Sequence, residues 1–207
     1  MKVLSKVNRG LIATIIVIIA VIIYVVTVTV GQEAHKAEIK KACTDYITMD
    51  IKYKLLPTEF IDANKLVPKS EQDSILSNLT KDIKANYINN TALVDTVIKG
   101  YKDNLEAQFK NGSNLQSIKR QIIKYDDIVF DGNTAMISFT SMTAIDTITK
   151  NSTDPNGATT PIIQTINGQT NDYITFENVD GKWKVVTAYL SDPQSQNGTN
   201  GAVINKY

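Results

Sequence analysis

The chain has 207 residues, with 22 basic and 21 acidic side chains and a formal net charge of +1 at pH 7. A nucleic-acid-binding protein would be expected to carry a clustered basic face, so this balance argues against a nucleic-acid partner. The single cysteine excludes an internal disulfide, and a domain of this size must therefore be stabilised by burial of apolar side chains.

The most apolar segment runs from Leu11 to Val30, twenty residues without a charge, a proline or a glycine. As a helix it would span about 30 Å, which is the thickness of the hydrocarbon layer of a bilayer. Its fourteen Leu, Ile and Val residues favour insertion by about 4 to 8 kcal/mol. The sequence therefore predicts a transmembrane helix over residues 11–30 that contacts membrane lipid, with anchor positions that include Leu11, Ile15, Ile19, Ile23 and Val30.

The basic residues Lys2, Lys6 and Arg9 precede this segment with no acidic residue among them. By the positive-inside rule, residues 1–10 form a short cytoplasmic tail and the rest of the chain is exported. A cleaved signal peptide is one alternative, although its apolar region usually has about 7–15 residues and ends in a small-residue cleavage site. A buried helix of a soluble protein is the other. We expect an uncleaved signal-anchor, with the protein single-pass in the cell membrane.

Apolar residues continue at helical spacing after Gly31. Pro57 is expected to end this helix, because the residue before a proline is pushed away from helical angles. The stripe predicts either a membrane-proximal coiled coil or a helix that faces the core of the domain. Aromatic residues at its seam positions and its short length favour the core. Its members are Ile39, Ala42, Tyr46, Met49, Tyr53 and Leu56.

Two more helices are predicted before residue 113. A short helical turn is expected near Thr58, and Ser70 is the expected N-cap of a helix that ends near Tyr87. Thr91 is the expected cap of the third helix, which Gly112 closes.

Beyond residue 113 the apolar period changes to two, which is typical of strands. A first strand from Ser117 to Phe130 is followed by a tight hairpin signal at Asp131-Gly132-Asn133 and a return strand from Thr134 to Thr149. A third strand is expected from Ile162 to Asn178, with a bulge or second turn at Asn167-Gly168. On the return strand one face carries Ala135, Ile137, Phe139, Ser141 and Ile145, and the other carries Met136, Ser138, Thr140 and Met142.

The last strand follows a turn at Asp180-Gly181 and runs over Lys182–Leu190. Alternation predicts that Trp183, Val185, Thr187 and Tyr189 share one of its faces. The polar, Gly/Asn-rich residues 191–207 are expected to form a flexible tail, and Asn151–Pro161 a polar connection that is open to contact with a partner.

These elements predict an α+β fold over residues 31–190, with about three helices on a curved antiparallel sheet of about four long strands. The order of helices and hairpins, ending in Asp180-Gly181-Lys182-Trp183-Lys184-Val185-Val186, resembles the nuclear transport factor 2-like (cystatin-like cone) superfamily. Together with a single anchor, the pattern is similar to the VirB-type scaffold proteins of conjugative and type IV secretion machines. That resemblance implies one exported domain of this fold that assembles with other envelope proteins.

The chain offers little for catalysis. His35, the only histidine, is eight residues from Cys43, which on a helix is about 12 Å along the axis and too far for a nucleophile–base dyad. One histidine and one cysteine cannot form a typical zinc site, and adjacent Asp126 and Asp127 point to opposite faces of a strand. We therefore expect no catalytic, cofactor or metal site. Cys43 is interpreted as a buried inert residue, with a reactive thiol or an intermolecular disulfide as the alternatives.

Enzymes of the resembled fold place an Asp, Tyr or His inside the cone, and the candidates that this resemblance implies are Tyr125, Asp172, Tyr173 and Tyr189. Buried tyrosines that bond a partner at the rim explain these residues equally well. The expected pocket or core lining consists of Tyr46, Tyr101, Phe139, Tyr173, Trp183 and Tyr189.

The leading hypothesis is a non-catalytic assembly or scaffold subunit of a bacterial cell-envelope complex, with other envelope proteins or a second copy of the chain in a homo-oligomer as its partners. An anchored module that binds a small apolar ligand is the alternative, followed by a cone-fold enzyme. The ligand-binding hypothesis fails where Tyr46, Tyr101 and Phe139 fill the interior.

Overall fold

The computed structural model describes residues 9–61, 66–150 and 161–193, and the side chains of residues 17–23, 33–61, 66–148 and 163–193 within them. The chain divides into two compact units, of which the first ends at Glu38 and the second begins at Ile39. The elements are α1 (Arg9–Lys54), a 3₁₀ turn (Thr58–Phe60), α2 (Lys69–Asn86), α3 (Thr91–Asn111), β1 (Leu115–Asp131), β2 (Thr134–Lys150), β3 (Pro161–Val179) and β4 (Lys182–Tyr189).

The first unit contains the N-terminal part of α1. Every described side chain between Val17 and Ile23 is exposed, and each of the six large apolar ones has half or more of its surface accessible. Among the described residues, no helix is both long enough and apolar enough to cross a membrane. The predicted topology residues Lys2 and Lys6 lie outside the described residues, as do the side chains of Arg9, Leu11, Ile15 and Val30.

In the second unit, the apolar stripe of α1 lies in the core of the domain. Ile39, Tyr53 and Leu56 are almost completely buried, and so is Cys43 between them. Burial of the stripe supports the interpretation as a core helix over that as a coiled coil. The helix ends at Lys54, just ahead of Pro57, and the predicted turn follows at Thr58–Phe60.

Two helix starts differ from the predictions. α2 begins at Lys69 after Pro68, and no side chain caps it, so the prediction of Ser70 as the N-cap is wrong. Proline is pre-set to φ near −65°, and Pro68, with φ −58°, leads the chain into the helix without a cap. In α3 the cap is Asn90 rather than Thr91, because the Asn90 side chain accepts the N–H of Leu93.

The strands form one antiparallel sheet in the order β1-β2-β3-β4, which confirms the α+β prediction. Tight turns join the first two strands at Gly132 and the last two at Asp180-Gly181. Asp180 and Gly181 both have positive φ, 52° and 78°, as a type I′ turn requires.

One face of the sheet, called the inner face, packs on the helices. On β2, Ala135, Ile137, Phe139 and Ser141 are buried while Met136 and Met142 are exposed, as the alternation predicts. Buried side chains from α1, α2, α3 and the inner face form one continuous core.

The predicted interruption at Asn167-Gly168 is wrong. β2 and β3 pair without a register shift through this point, where Gly168 lies opposite Thr143. The neighbouring strands carry the irregularities instead, because β1 has three register shifts and β4 has one.

The bulge in β4 changes which side chains face inward. Thr187 pairs with Thr175 and Val185 pairs with Phe176, so Val186 is the extra residue. This extra residue reverses the side-chain orientation of the residues that follow it. Ala188 therefore packs against the core, and Thr187 is exposed. The predicted common face of Trp183, Val185, Thr187 and Tyr189 is therefore wrong for its last two residues.

Candidate functional site

A group of polar side chains continues the inner face where its apolar residues end. Ser141 follows Phe139 on β2 and pairs with Thr170 on β3, whereas Thr143 pairs with Arg120 on β1. The side chain of Arg120, which carries a guanidinium, is only 2% exposed. Together with Asp172, which is 2% exposed, these residues are called the inner polar cluster; its members are Arg120, Ser141, Thr143, Thr170 and Asp172.

Asp172 is the acceptor at one side of this cluster. Its Oδ2 accepts the hydroxyl of Ser141 at 2.6 Å and that of Thr170 at 3.2 Å. Its Oδ1 accepts the main-chain N–H of Ser191 at 2.8 Å. A buried carboxylate is tolerated where its oxygens are hydrogen-bonded, and here both of them are.

Arg120 is the donor at the other side of the cluster. Its Nε donates to the Thr143 hydroxyl at 2.8 Å, and its Nη2 donates to the main-chain oxygen of Ser191 at 2.5 Å. Nη2 also lies 3.1 Å from Oδ1 of Asp192. The fixed fork of a guanidinium suits such a set of acceptors, which a lysine could not serve in the same way.

The segment Ser191–Pro193, called the strap, therefore lies on the inner polar cluster. A Cβ built on Gly168 would come within 3.0 Å of the Cβ of Pro193, so the absence of a side chain at Gly168 makes room for the strap. This differs from the expectation of a flexible tail from residue 191, because the first three residues of that tail are held. Residues 194–207 lie outside the described part.

Cys43 is fully buried and makes no disulfide. Burial raises the pKa of its thiol to about 12, and the negative charge of Asp172 adds to this increase. A thiol in this state is not a nucleophile at neutral pH. The structure thus favours the interpretation of Cys43 as a buried inert residue over the reactive and disulfide-linked alternatives.

A second buried polar group joins α1 to α3 and to Tyr87, the residue after α2. The Tyr101 hydroxyl donates to Asp50 Oδ1 at 2.5 Å, and Lys54 Nζ lies 3.0 Å from Asp50 Oδ2. The hydroxyls of Tyr46 and Tyr87 are 3.1 Å apart. Burial is the largest cause that raises the pKa of Tyr46 and of Tyr101 well above 10. This tyrosine–carboxylate cluster ties α1 to α3 and to the end of α2 through hydrogen bonds between hydroxyl and carboxylate groups and one ion pair.

The structure separates the predicted lining residues into two sets. Tyr46, Tyr101 and Phe139 are buried in the core at 3% exposure or less, and Trp183 packs at its edge against Phe130. Tyr173 is 41% exposed on the opposite face of the sheet. Tyr189 stacks on it with ring centroids 5.3 Å apart, so neither tyrosine enters the interior.

The candidates for a cone-type active site are likewise divided. Asp172 is inside and fully hydrogen-bonded. Tyr125 is half-buried and contacts α1, where its hydroxyl lies 3.4 Å from Thr44 Oγ1 and its ring lies under Lys40 Nζ. No dyad of Asp172 with Tyr173 or Tyr189 is formed among the described side chains, because the two tyrosines project from the outer face.

Neither Arg120 nor the strap is predicted from the sequence. A signal for Arg120 exists, since the chain has 20 lysines and only two arginines, and one of these is Arg9 before the apolar segment. In a chain that uses lysine for its surface charge, an arginine within a strand indicates a site where a planar fork of donors is needed. No comparable signal identifies Ser191, because it contributes only main-chain atoms.

The outer face of the sheet presents exposed apolar side chains. Each has more than two fifths of its surface accessible, and they come from three adjacent strands. Val129 pairs directly with Met136, which places two of them side by side. This outer apolar face consists of Val129, Met136, Met142, Ile163 and Tyr173.

An open groove of about 470 Å³ lies at the β1 edge of the sheet. Ile51, Ile118 and Ala144 contribute apolar lining, and Lys119 and Gln121 contribute polar atoms. Among the described residues no three His, Cys, Asp or Glu side chains come together in a way that would hold a metal ion.

Comparison with known proteins gives weak structural similarity and no sequence match. No protein-family model matches the chain, and no curated protein sequence matches it. Among solved structures it is similar to a nuclear transport factor 2 (NTF2-like) superfamily protein from Salmonella enterica subsp. enterica serovar Typhimurium str. LT2, with 15% sequence identity and a TM-score of 0.30. The match covers 48% of this chain and 65% of the Salmonella chain, and so spans less than two thirds of that protein's length.

Proposed function

We propose that the protein is a membrane-anchored, non-catalytic assembly or scaffold subunit of a bacterial cell-envelope complex. The observation that carries the proposal is the uninterrupted run of exposed apolar side chains from Val17 to Ile23. Soluble proteins rarely leave such a patch open to water, so this part of α1 needs an apolar surrounding.

Hydrocarbon is the surrounding that best fits this helix. Seven consecutive residues cover all sides of a helix, so a protein groove on one side would leave the others in water. The run lies within the twenty apolar residues 11–30, long enough for a bilayer, and it follows Lys2, Lys6 and Arg9. On this basis the N-terminus is cytoplasmic and the α+β domain lies outside the cytoplasm.

The interior chemistry supports a non-catalytic role. Both oxygens of Asp172 accept hydrogen bonds from the protein itself, and Asp50 is paired with Tyr101 and Lys54. A general base would need an oxygen directed at a substrate. The burial of Tyr46, Tyr101 and Phe139 in the core also weighs against the small-ligand alternative.

The outer apolar face supports a role in assembly. Aromatic residues and methionine are enriched where proteins bind one another, and Met136, Met142 and Tyr173 lie exposed on one side of the sheet. We infer that this face binds another envelope protein or a second copy of the chain. The resemblance to VirB-type scaffold proteins suggests a conjugative or type IV secretion machine.

The anchor is tested by placing charges in the exposed apolar run. In Ile18→Lys/Ile22→Lys each lysine costs about 2.5–3.5 kcal/mol at the centre of a membrane helix, which together offsets most of the insertion energy. The double variant should move from the membrane fraction to the soluble fraction, whereas the control Ile18→Leu/Ile22→Leu should stay in the membrane. Protease added to intact cells should digest the C-terminal domain of the unaltered protein. A soluble unaltered chain, or a protected domain, contradicts the proposal.

The assembly role is tested by chemical crosslinking in membranes. Met136→Asp/Tyr173→Asp places two charges on the outer apolar face, and Gln169→Asp places one at an exposed polar position of the same face. The unaltered chain and Gln169→Asp should give crosslinked complexes, and the double variant should lose most of them while remaining folded by circular dichroism. A chain that stays monomeric and without partners would remove the scaffold proposal.

A further inference from the structure

The strap is held differently from the strand that precedes it. β4 is paired up to Tyr189, which lies opposite Tyr173. The strap begins two residues later and is not paired with a strand. Asp172 and Arg120 hold the N–H and the C=O of Ser191, and a further bond joins Arg120 to Asp192. Side chains of the inner face thus bind the main chain of the strap, as another strand would.

What the strap covers is polar rather than apolar. Apolar side chains cover the rest of the inner face. At this end the face carries polar residues instead, namely Arg120, Ser141, Thr143, Thr170 and Asp172. If the strap were absent, these groups could be hydrated, whereas the apolar core around Phe139 is buried by the helices. Removal of the strap therefore need not disturb the core.

We propose that the strap is a detachable cover of the inner polar cluster, one that opens while the rest of the domain stays folded. Segments that open locally are those that bury few apolar side chains, and the strap brings only half-buried Pro193 to the domain, together with three hydrogen bonds from Asp172 and Arg120. Opening exposes Arg120 and Asp172, whose spacing is already matched to the N–H and C=O of a single residue. The inner polar cluster is thus a binding site for main-chain N–H and C=O groups, and the strap of the same chain occupies it.

Two variants of the full chain, in detergent micelles, change the strap without altering its polar partners. Gly168→Val places a side chain where a Cβ alone would meet Pro193 Cβ at 3.0 Å, and should push the strap away. Gly168→Cys/Pro193→Cys, made with Cys43→Ala, places two Cβ atoms 3.0 Å apart, so the strap must shift by about half an ångström to reach the roughly 3.5–4.5 Å of a disulfide, which then locks it when the thiols are oxidised. Cys43→Ala alone is the matched control for the lock.

Hydrogen exchange measured by mass spectrometry reports the opening. In the unaltered chain the Ser191 N–H, which donates to Asp172 and reports the opening of the strap, should exchange at least 100-fold faster than the N–H groups of β3 and β4 around Ile174 and Val185. Gly168→Val should increase strap exchange a further tenfold or more, and the oxidised lock should slow it at least tenfold, with the exchange of β3 and β4 unchanged in both. Equal protection of the strap and these strands, or a lock without effect, would show that the strap opens only when the domain unfolds and would overturn the proposal. Cys43 should remain unlabelled by maleimide in Gly168→Val, because the core stays closed.

Discussion

Asp172 accepts the main-chain N–H of Ser191 across the β3–β4 hairpin, with 2.8 Å between Oδ1 and N. The bond joins a buried carboxylate to a residue that has already left the sheet. Loss of this bond would therefore both leave Asp172 with fewer hydrogen bonds and release the chain that follows β4.

Substitution of Asp172 tests how much this connection contributes. Hydrogen bonds to charged groups contribute about 1.5–3 kcal/mol, and Asp172→Asn keeps the shape but removes the charge, so we expect it to lower the free energy of unfolding by about 2 kcal/mol. Asp172→Leu leaves the Ser191 N–H without this acceptor and should cost about twice as much. Urea unfolding of the full chain in micelles, followed by the fluorescence of Trp183, measures both. Equal stability of Asp172→Leu and the unaltered chain would contradict the assigned hydrogen bonds.

The same carboxylate affects Cys43. The thiol is fully buried and its pKa is raised to about 12, first by burial and then by the charge of Asp172. We expect no reaction with iodoacetamide at pH 8 in the folded chain, and rapid reaction after unfolding in urea. No disulfide-linked dimer should appear on a non-reducing gel. Asp172→Asn should lower the pKa of the thiol, but burial should keep it unreactive; fast labelling of the folded unaltered chain would show that Cys43 is accessible.

Most helices, strands and turns are predicted from the sequence because residues close together in the chain determine them. The buried stripe of α1 follows from spacing, and the Asp180-Gly181 turn follows from the positive φ that two residues must adopt. The interruption predicted at Gly168 is wrong because a glycine in a strand indicates either a bulge or a close approach of another segment. The close approach is the correct interpretation, since Pro193 lies against it, and only the tertiary structure shows this.

The tyrosine–carboxylate cluster should make stability depend on alkaline pH. Burial holds the pKa of Tyr46 and of Tyr101 well above 10, whereas in the unfolded chain both phenols ionise near 10. A folded-state pKa above the unfolded value gives stability that is fully present below pH 10 and is lost as the pH rises beyond it. The free energy of unfolding should therefore fall steeply above pH 10.

Phenylalanine substitutions separate the two tyrosines. Tyr101→Phe removes a bond to a carboxylate and should cost about 1.5–3 kcal/mol at pH 7, whereas Tyr46→Phe removes a hydroxyl pair and should cost about 0.5–1.5 kcal/mol. Each variant should also show a shallower loss of stability above pH 10. The same alkaline slope in both variants as in the unaltered chain would mean that these phenols do not control it.

Asp82 should produce the opposite pH dependence. Its pKa is lowered below 3.8, first by the hydrogen bond from Tyr53 and then by the bond from Lys52. Stability from a lowered pKa is present above about pH 4 and is lost as the pH falls through the folded value. Because Asp82 is about a third exposed, solvent screens the pair, and Asp82→Asn should cost only about 1 kcal/mol at pH 7. Acid titration of unfolding should narrow the difference between the variant and the unaltered chain as the pH falls below about 4; a difference that stays constant there would refute the lowered pKa.

The face of β4 could not be predicted from alternation, because the bulge at Val186 is a property of the pairing and not of the strand's own sequence. A period of two places Tyr189 on the core side with Val185, whereas the structure places Ala188 there and stacks Tyr189 on exposed Tyr173.

The two placements predict opposite orders of stability for variants that carry a charge at residue 188 or at residue 189. In the structure, Ala188→Asp brings a carboxylate against the core and should lower the free energy of unfolding by about 2–4 kcal/mol. Tyr189→Asp loses mainly a stacked ring pair and should cost about 0.5–1.5 kcal/mol. Urea unfolding of the two variants decides between the placements, because a larger loss for Tyr189→Asp would restore simple alternation.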